Sequence, residues 1–281
     1  MNEVQSFLLE GRGIRGAVVR LEETWLQVVA QHHYPEAVKS LLGEAIAATV
    51  LLGNGLKDMP KISIQLKGEG ALKLLLIQCT GDLKVRGMAR WGELQPSEPL
   101  LGHGRLSVNL DTGKENGFFQ GIVPIVSEEL PSCLEAYFRQ SEQLPTRIFL
   151  FGSDRRVAGL MLQILPGHDS AVENFATAAA LAETVSSQEI ATTSCETLLP
   201  RIFSEFEIRL FKPRPVLHDC RCTPEHLASI ARMLGAEELE SLLVERGQVE
   251  LTCEFCNRDF QYSAKDVTAI LRGEAPQITV H

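Results

Sequence analysis

Apolar and polar positions change period several times along this chain. Ile14, Ala17 and Val19 alternate loosely with polar neighbours, which predicts a strand over residues 15–21. Trp25, Leu26, Val28 and Val29 follow and predict a turn leading into further structure. After Tyr34-Pro35, the positions Val38, Leu41, Leu42, Ala45, Ile46, Thr49 and Val50 have helical spacing, so residues 36–52 read as a helix that Gly53-Asn54-Gly55 ends. The period then drops to two. Ile62, Ile64 and Leu66, then Leu72, Leu74 and Leu76, flank a Lys67-Gly68-Glu69-Gly70 turn and predict a hairpin. Further strands are predicted over 84–91, 105–110 and 118–123, a helix over 128–140, and a closing strand pair over 147–152 and 157–165. Clustered antiparallel strands with a few helices give an α+β class rather than alternating βαβ units.

Pro166-Gly167 marks a boundary. Beyond it, Ser170 with Glu173 predicts a capping box opening an alanine-rich helix over 171–185, and a second helix is predicted over 190–206. An alanine-rich helix buries little area per turn and is marginal without a docking surface. Residues 207–216 read as extended. Thr223-Pro224 then supplies an N-cap and an N1 proline for a helix over 225–234, closed by Gly235. A helix over 237–245, strands over 248–252 and 259–262, and a helix start at Ser263/Asp266 complete the pattern. The chain therefore divides into an α+β core domain (1–165), a largely helical linker region (166–218) and a small C-terminal module (219–281).

That module carries the candidate chemistry. Cys220 and Cys222 form a Cys-x-Cys pair, Cys253 and Cys256 a Cys-x-x-Cys pair, with 30 residues between them. Two tight pairs make a closed tetrahedral Zn2+ site with no open position for a catalytic water. His218 and His226 are nearby rivals for ligand places. The same thiols are also able to form two local disulfides. A module of this size has a small core and leans on its metal, so loss of the metal unfolds it. Cys79, Cys133 and Cys195 stand alone and read as small buried hydrophobes.

Charge narrows the function. The net charge is −9, and residues 219–281 hold 6 basic against 11 acidic side chains, whereas residues 1–165 hold 17 against 18. A nucleic-acid-binding zinc module needs the opposite sign, so no nucleic-acid partner is expected. A thiol–disulfide oxidoreductase would place its Cys-x-x-Cys at a helix N-terminus, whereas Cys253 follows a predicted strand. Ser141 and Glu142 have no histidine placed beside them by any motif, and a turn-ordering role suits them better than hydrolysis. The glycines form no phosphate cradle. Apolar runs are too short for a membrane span, and the N-terminus lacks the basic end of a signal peptide, so a cytoplasmic protein without a membrane partner is expected.

The four cysteines, together with Ser141-Glu142-Gln143-Leu144-Pro145-Thr146, Tyr34-Pro35, the stretch from Ile64 to Gly70, Val85-Arg86-Gly87 and Leu162-Gln163-Ile164-Leu165-Pro166, resemble the heat-shock-protein-33 family of redox-regulated chaperones. Asn257 departs from the pattern, standing where glycine is expected. The resemblance implies one Zn2+ on Cys220, Cys222, Cys253 and Cys256 in a reduced, inactive state. It implies that oxidants form Cys220–Cys222 and Cys253–Cys256 disulfides, release the metal and unfold the C-terminal redox switch and the linker. It further implies a non-enzymatic, ATP-independent holdase that dimerises when oxidised, binds unfolding client proteins and passes them to ATP-dependent foldases.

Overall fold

The structure is a computed structural model; it describes all residues except 31, 57–60, 96–97, 115–116, 166, 169–170 and 275–281. The predicted capping box at Ser170 lies outside the described residues. The chain forms two compact units, Met1–His218 and Asp219–His281.

The first unit is built on two sheets. In chain order its elements are β1 (Asn2–Leu9), β2 (Ile14–Leu21), α1 (Glu23–Val29), α2 (Glu36–Asn54), β3 (Lys61–Gly68), β4 (Leu72–Thr80), β5 (Lys84–Trp91), β6 (Gly104–Asp111) and β7 (Phe118–Pro124). Then come α3 (Leu130–Tyr137), a π-helical turn (Phe138–Glu142), β8 (Thr146–Gly152), β9 (Val157–Ile164), α4 (Ala171–Glu183), α5 (Ser187–Thr192), α6 (Cys195–Ile202), β10 (Ile208–Leu210), β11 (Arg214–Pro215) and β12 (Leu217–His218). The first sheet runs β10-β1-β2-β9-β8, with β11 also on β1; the second runs β12-β5-β4-β3-β6-β7. Pairing is antiparallel except where β12 joins β5 in parallel.

Helix α2 packs against strands of both sheets. It is apolar on nearly every side, as a helix enclosed by a core must be. Its Thr49 hydroxyl is satisfied within the helix by donating to the Ala45 carbonyl at 2.7 Å. Strand β9 is buried along its whole length, which accounts for its nearly continuous apolar run.

The other face of the first sheet is covered by residues read from sequence as a linker. Ala178, Ala182, Ile190, Leu198, Leu199 and Phe203 of this segment join Phe7, Leu9, Ile14, Val18, Leu160 and Leu162 of the sheet in one buried cluster. The alanine-rich α4 thus has a docking surface. The helix predicted over 190–206 is in fact two. Thr193 and Ser194 adopt extended backbone between α5 and α6, and the capping box lies at Ser186/Glu189. The Thr193 carbonyl accepts a hydrogen bond from Arg20 Nη1 of β2, so the sheet compensates the interruption. Strand β1 escapes the sequence pattern because Gln5 is buried among apolar positions, donating to the Phe211 carbonyl at 3.0 Å.

The second unit comprises α7 (Pro224–Leu234), α8 (Ala236–Arg246), β13 (Val249–Thr252), β14 (Asp259–Tyr262) and α9 (Ala264–Arg272). Each boundary has a local cause. Thr223 caps α7 by accepting from the His226 amide at 3.2 Å, and Ser263/Asp266 form a capping box on α9. Gly247 takes φ 76° after α8, in the left-handed region that favours glycine. Leu227, Ala231, Leu239, Val249, Phe260, Tyr262, Val267 and Ile270 are buried together with Cys222, Cys253 and Cys256. Tyr262 donates to the Pro224 carbonyl at 3.0 Å, tying the hairpin to α7.

Candidate metal centre

Two loops bring the four predicted cysteines together. Cys220 and Cys222 lie in the extended stretch before the Thr223 cap, where no helical hydrogen bonding constrains the backbone. Cys253 and Cys256 bracket the turn between β13 and β14. That turn is held by the Asn257 amide donating to the Cys253 carbonyl at 2.7 Å and the Cys253 amide donating to Arg258 at 2.9 Å. Asn257 reaches φ 53°, a conformation that asparagine tolerates better than most residues.

All four Sγ atoms lie within 4.8 Å of one another. Cys222 and Cys256 are 3.2 Å apart, Cys220 and Cys222 3.5 Å, and Cys220 and Cys253 3.6 Å. Thiolates around a tetrahedral ion at the zinc–sulfur distance of about 2.3 Å sit about 3.8 Å apart, so the cluster has the right scale for one ion. Cys222, Cys253 and Cys256 are buried and Cys220 is half-buried. Four sulfurs with no open edge suit a soft or borderline cation held structurally.

The thiols differ in how readily they ionise. Burial, followed by the neighbouring thiols, pushes Cys220 upward and Cys222 up to about 12. Burial also opposes ionisation of Cys253, but the backbone amides of Cys256 and Phe255 donate to its sulfur and the net direction is downward. A bound dication would reverse the penalty on Cys220 and Cys222, since coordinating thiols are deprotonated outright. Amides turned toward a ligating sulfur are the outer-shell support such a site requires.

Among the described residues no histidine joins this cluster; His218 and His226 lie outside it. Cys79, Cys133 and Cys195 are fully buried far along the chain from it. Burial drives Cys79 up to about 12 and Cys195 up to about 11, as expected of inert core thiols. Glu142 ends the π-helical turn and accepts from the Tyr137 hydroxyl at 2.9 Å.

The family model described as "Hsp33 protein" matches residues 2–263. The chain belongs to the Hsp33 family of chaperones. It is 38% identical over 273 residues to the 33 kDa chaperonin of Shewanella denitrificans, covering 96% of this chain and 94% of that protein. It is likewise 38% identical over 269 residues to the 33 kDa chaperonin of Nitrosococcus oceani, covering 95% and 93%. The crystal structure of the 33 kDa chaperonin of Thermotoga maritima shares the Hsp33 fold, with a TM-score of 0.82 at 23% identity over 97% of this chain and 99% of that one. Among the described residues no helix is long and apolar enough to cross a membrane.

Proposed function

We propose that this chain is a redox-regulated, ATP-independent holdase whose C-terminal unit is a zinc-dependent switch. The observation that carries the reading is the position of the thiols: three of the four belong to the hydrophobic core of the second unit. When bound, Zn2+ would hold the four thiolates deprotonated and cross-link the unit's two loops. Structural zinc contributes on the order of 10–16 kcal/mol of apparent binding free energy, more than a unit of this size gains from its core alone.

Oxidation by hypochlorite or peroxide joins Cys253 to Cys256 and Cys220 to Cys222. Each new S–S bond delivers two electrons to the oxidant, and the joined sulfurs no longer serve as thiolate ligands. Both bonds are local, so neither a covalent bond nor a metal ion ties the loop before α7 to the β13–β14 turn, and the unit unfolds. Release of α4–α6 then uncovers Phe7, Leu9, Ile14, Val18, Leu160 and Leu162 on the first sheet. A contiguous apolar face of this kind is what a client-binding surface needs. The exposed form dimerises, holds unfolding proteins in the cytoplasm and yields them to ATP-dependent foldases after thiol reduction.

Zinc content, free thiols and aggregation of a thermally unfolding client are to be followed together through hypochlorite treatment and reduction. Zinc loss and aggregation suppression are expected to rise together and to reverse together. The reading fails if the oxidised, zinc-free protein leaves the client aggregating at the control rate.

A further inference from the structure

The Ser-Glu-Gln-Leu-Pro-Thr motif plays no part in the metal centre. Instead, it helps to build a cavity of about 570 Å³ in the first unit, within the roughly 300–1,000 Å³ range of small-molecule pockets. Leu52, Ile62, Val108, Leu110 and Met161 supply apolar walls, and the π-helical turn contributes Ser141 and Glu142. Such turns recur at functional sites.

Among the described residues one cation, Arg15, lines this cavity, and it is held by a relay. Arg15 Nε donates to Gln163 Oε1 at 3.0 Å, and Nη2 donates to the same oxygen. Gln163 is only 1% exposed, and its Nε2 donates to Thr146 Oγ1 at 2.9 Å. The Thr146 hydroxyl in turn donates to the Leu144 carbonyl at 3.0 Å. The amide nitrogen of Gln163 is thereby committed to Thr146, so its oxygen must face Arg15. Gln163 is neutral, and Arg15 makes no ion pair among the described residues. Burial accordingly lowers the Arg15 pKa, although a guanidinium stays charged. A guanidinium aimed by a buried amide and ion-paired to no carboxylate among the described residues is half of a carboxylate site. Glu142 also lines the cavity, and its carboxylate, held by the Tyr137 hydroxyl, disfavours polyanions.

We propose that this cavity binds a small amphipathic monocarboxylate, its carboxylate on Arg15 and its aliphatic body along Leu52, Ile62, Val108 and Met161. The site is separate from the metal centre and does not depend on the redox reading. The test is calorimetric titration of the reduced, zinc-loaded full chain with octanoate, octan-1-ol and inorganic pyrophosphate. Octanoate is expected to bind saturably at one site, at least tenfold more tightly than either other compound, and to shift the backbone amide resonances of Gly121 and Leu144. Arg15→Gln is expected to weaken octanoate at least tenfold and to leave octan-1-ol unchanged, with its fold checked by thermal unfolding. Leu110→Phe, which narrows the cavity without touching Arg15, is expected to weaken both and serves if Arg15→Gln does not fold. Absence of saturable octanoate binding, equal affinity for octan-1-ol or pyrophosphate, or octanoate binding undiminished in a folded variant would overturn the proposal.

Discussion

Asn257 follows Cys256 with φ 53°, and the turn that presents two of the sulfurs depends on that backbone state. A residue with an ordinary Cβ and no short polar side chain pays roughly 1–2 kcal/mol there. Asn257→Ala should therefore weaken zinc binding about fivefold in a chelator competition, while Asn257→Gly should bind as tightly as the wild type. Elsewhere, burial on α2, followed by the charge of Glu129, raises Glu44 to about 7. The folded state thus holds this proton more tightly than the unfolded state, so its stabilisation is fully present below about pH 4.5 and lost as pH rises through 7. Glu44→Gln should raise the urea midpoint at pH 8, by about 1–3 kcal/mol in stability, and change little at pH 4. The clustering of the cysteines was legible from their spacing because each pair is local in sequence. The Arg15–Gln163–Thr146 relay was not, because a hydrogen bond between β2 and β9 leaves no mark on either strand's pattern.

Among the elements, the pair α5–α6 meets a buried cation of the first sheet. Arg20 of β2 is buried, and its guanidinium reaches Glu3 at 2.9 Å, Cys195 Sγ at 3.3 Å and the Thr193 carbonyl. Removing one partner from a buried charged network typically costs about 3–5 kcal/mol. Arg20→Gln is expected to speed amide exchange across residues 187–202 and to raise binding of a hydrophobic dye in the reduced protein, with β3–β6 unaffected. Unchanged exchange in α5 and α6 would show that Arg20 does not hold them. Periodicity located these helices but joined them, since Thr192, Thr193 and Ser194 interrupt no apolar spacing and the freed Thr193 carbonyl finds its partner in the distant Arg20. The helix predicted over 128–140 was legible only to Tyr137 for a related reason. The π-helical turn and Gln143 at φ 55° answer to packing around the cavity rather than to local propensity.

At the scale of the molecule, the two units differ in what holds them. The first has an apolar core around α2 and a second cluster on the outer face of its first sheet. The second has one small cluster in which sulfurs are structural members. A strong zinc chelator under reducing conditions should abolish the helical signal of α7–α9 and leave a thermal transition of the α2 core and the two sheets in place. Loss of both transitions together would mean that the first unit also depends on the metal. The α+β class and its antiparallel strands were legible from period-two alternation. The attachment of residues 207–218 to both sheets was not, because a two-residue strand such as β11 or β12 carries no period.

Strand β1 pairs with β10 and β11, whose residues come roughly two hundred positions later, and its neighbour β2 waits for β9. Synthesis proceeds at about 5–20 residues per second, so the first sheet stays incomplete for tens of seconds on the ribosome. During that interval Phe7, Leu9 and Ile14 have no helices over them. The nascent chain thus passes through a sticky adolescence of its own, and a protein fitted to shelter others begins life in need of shelter.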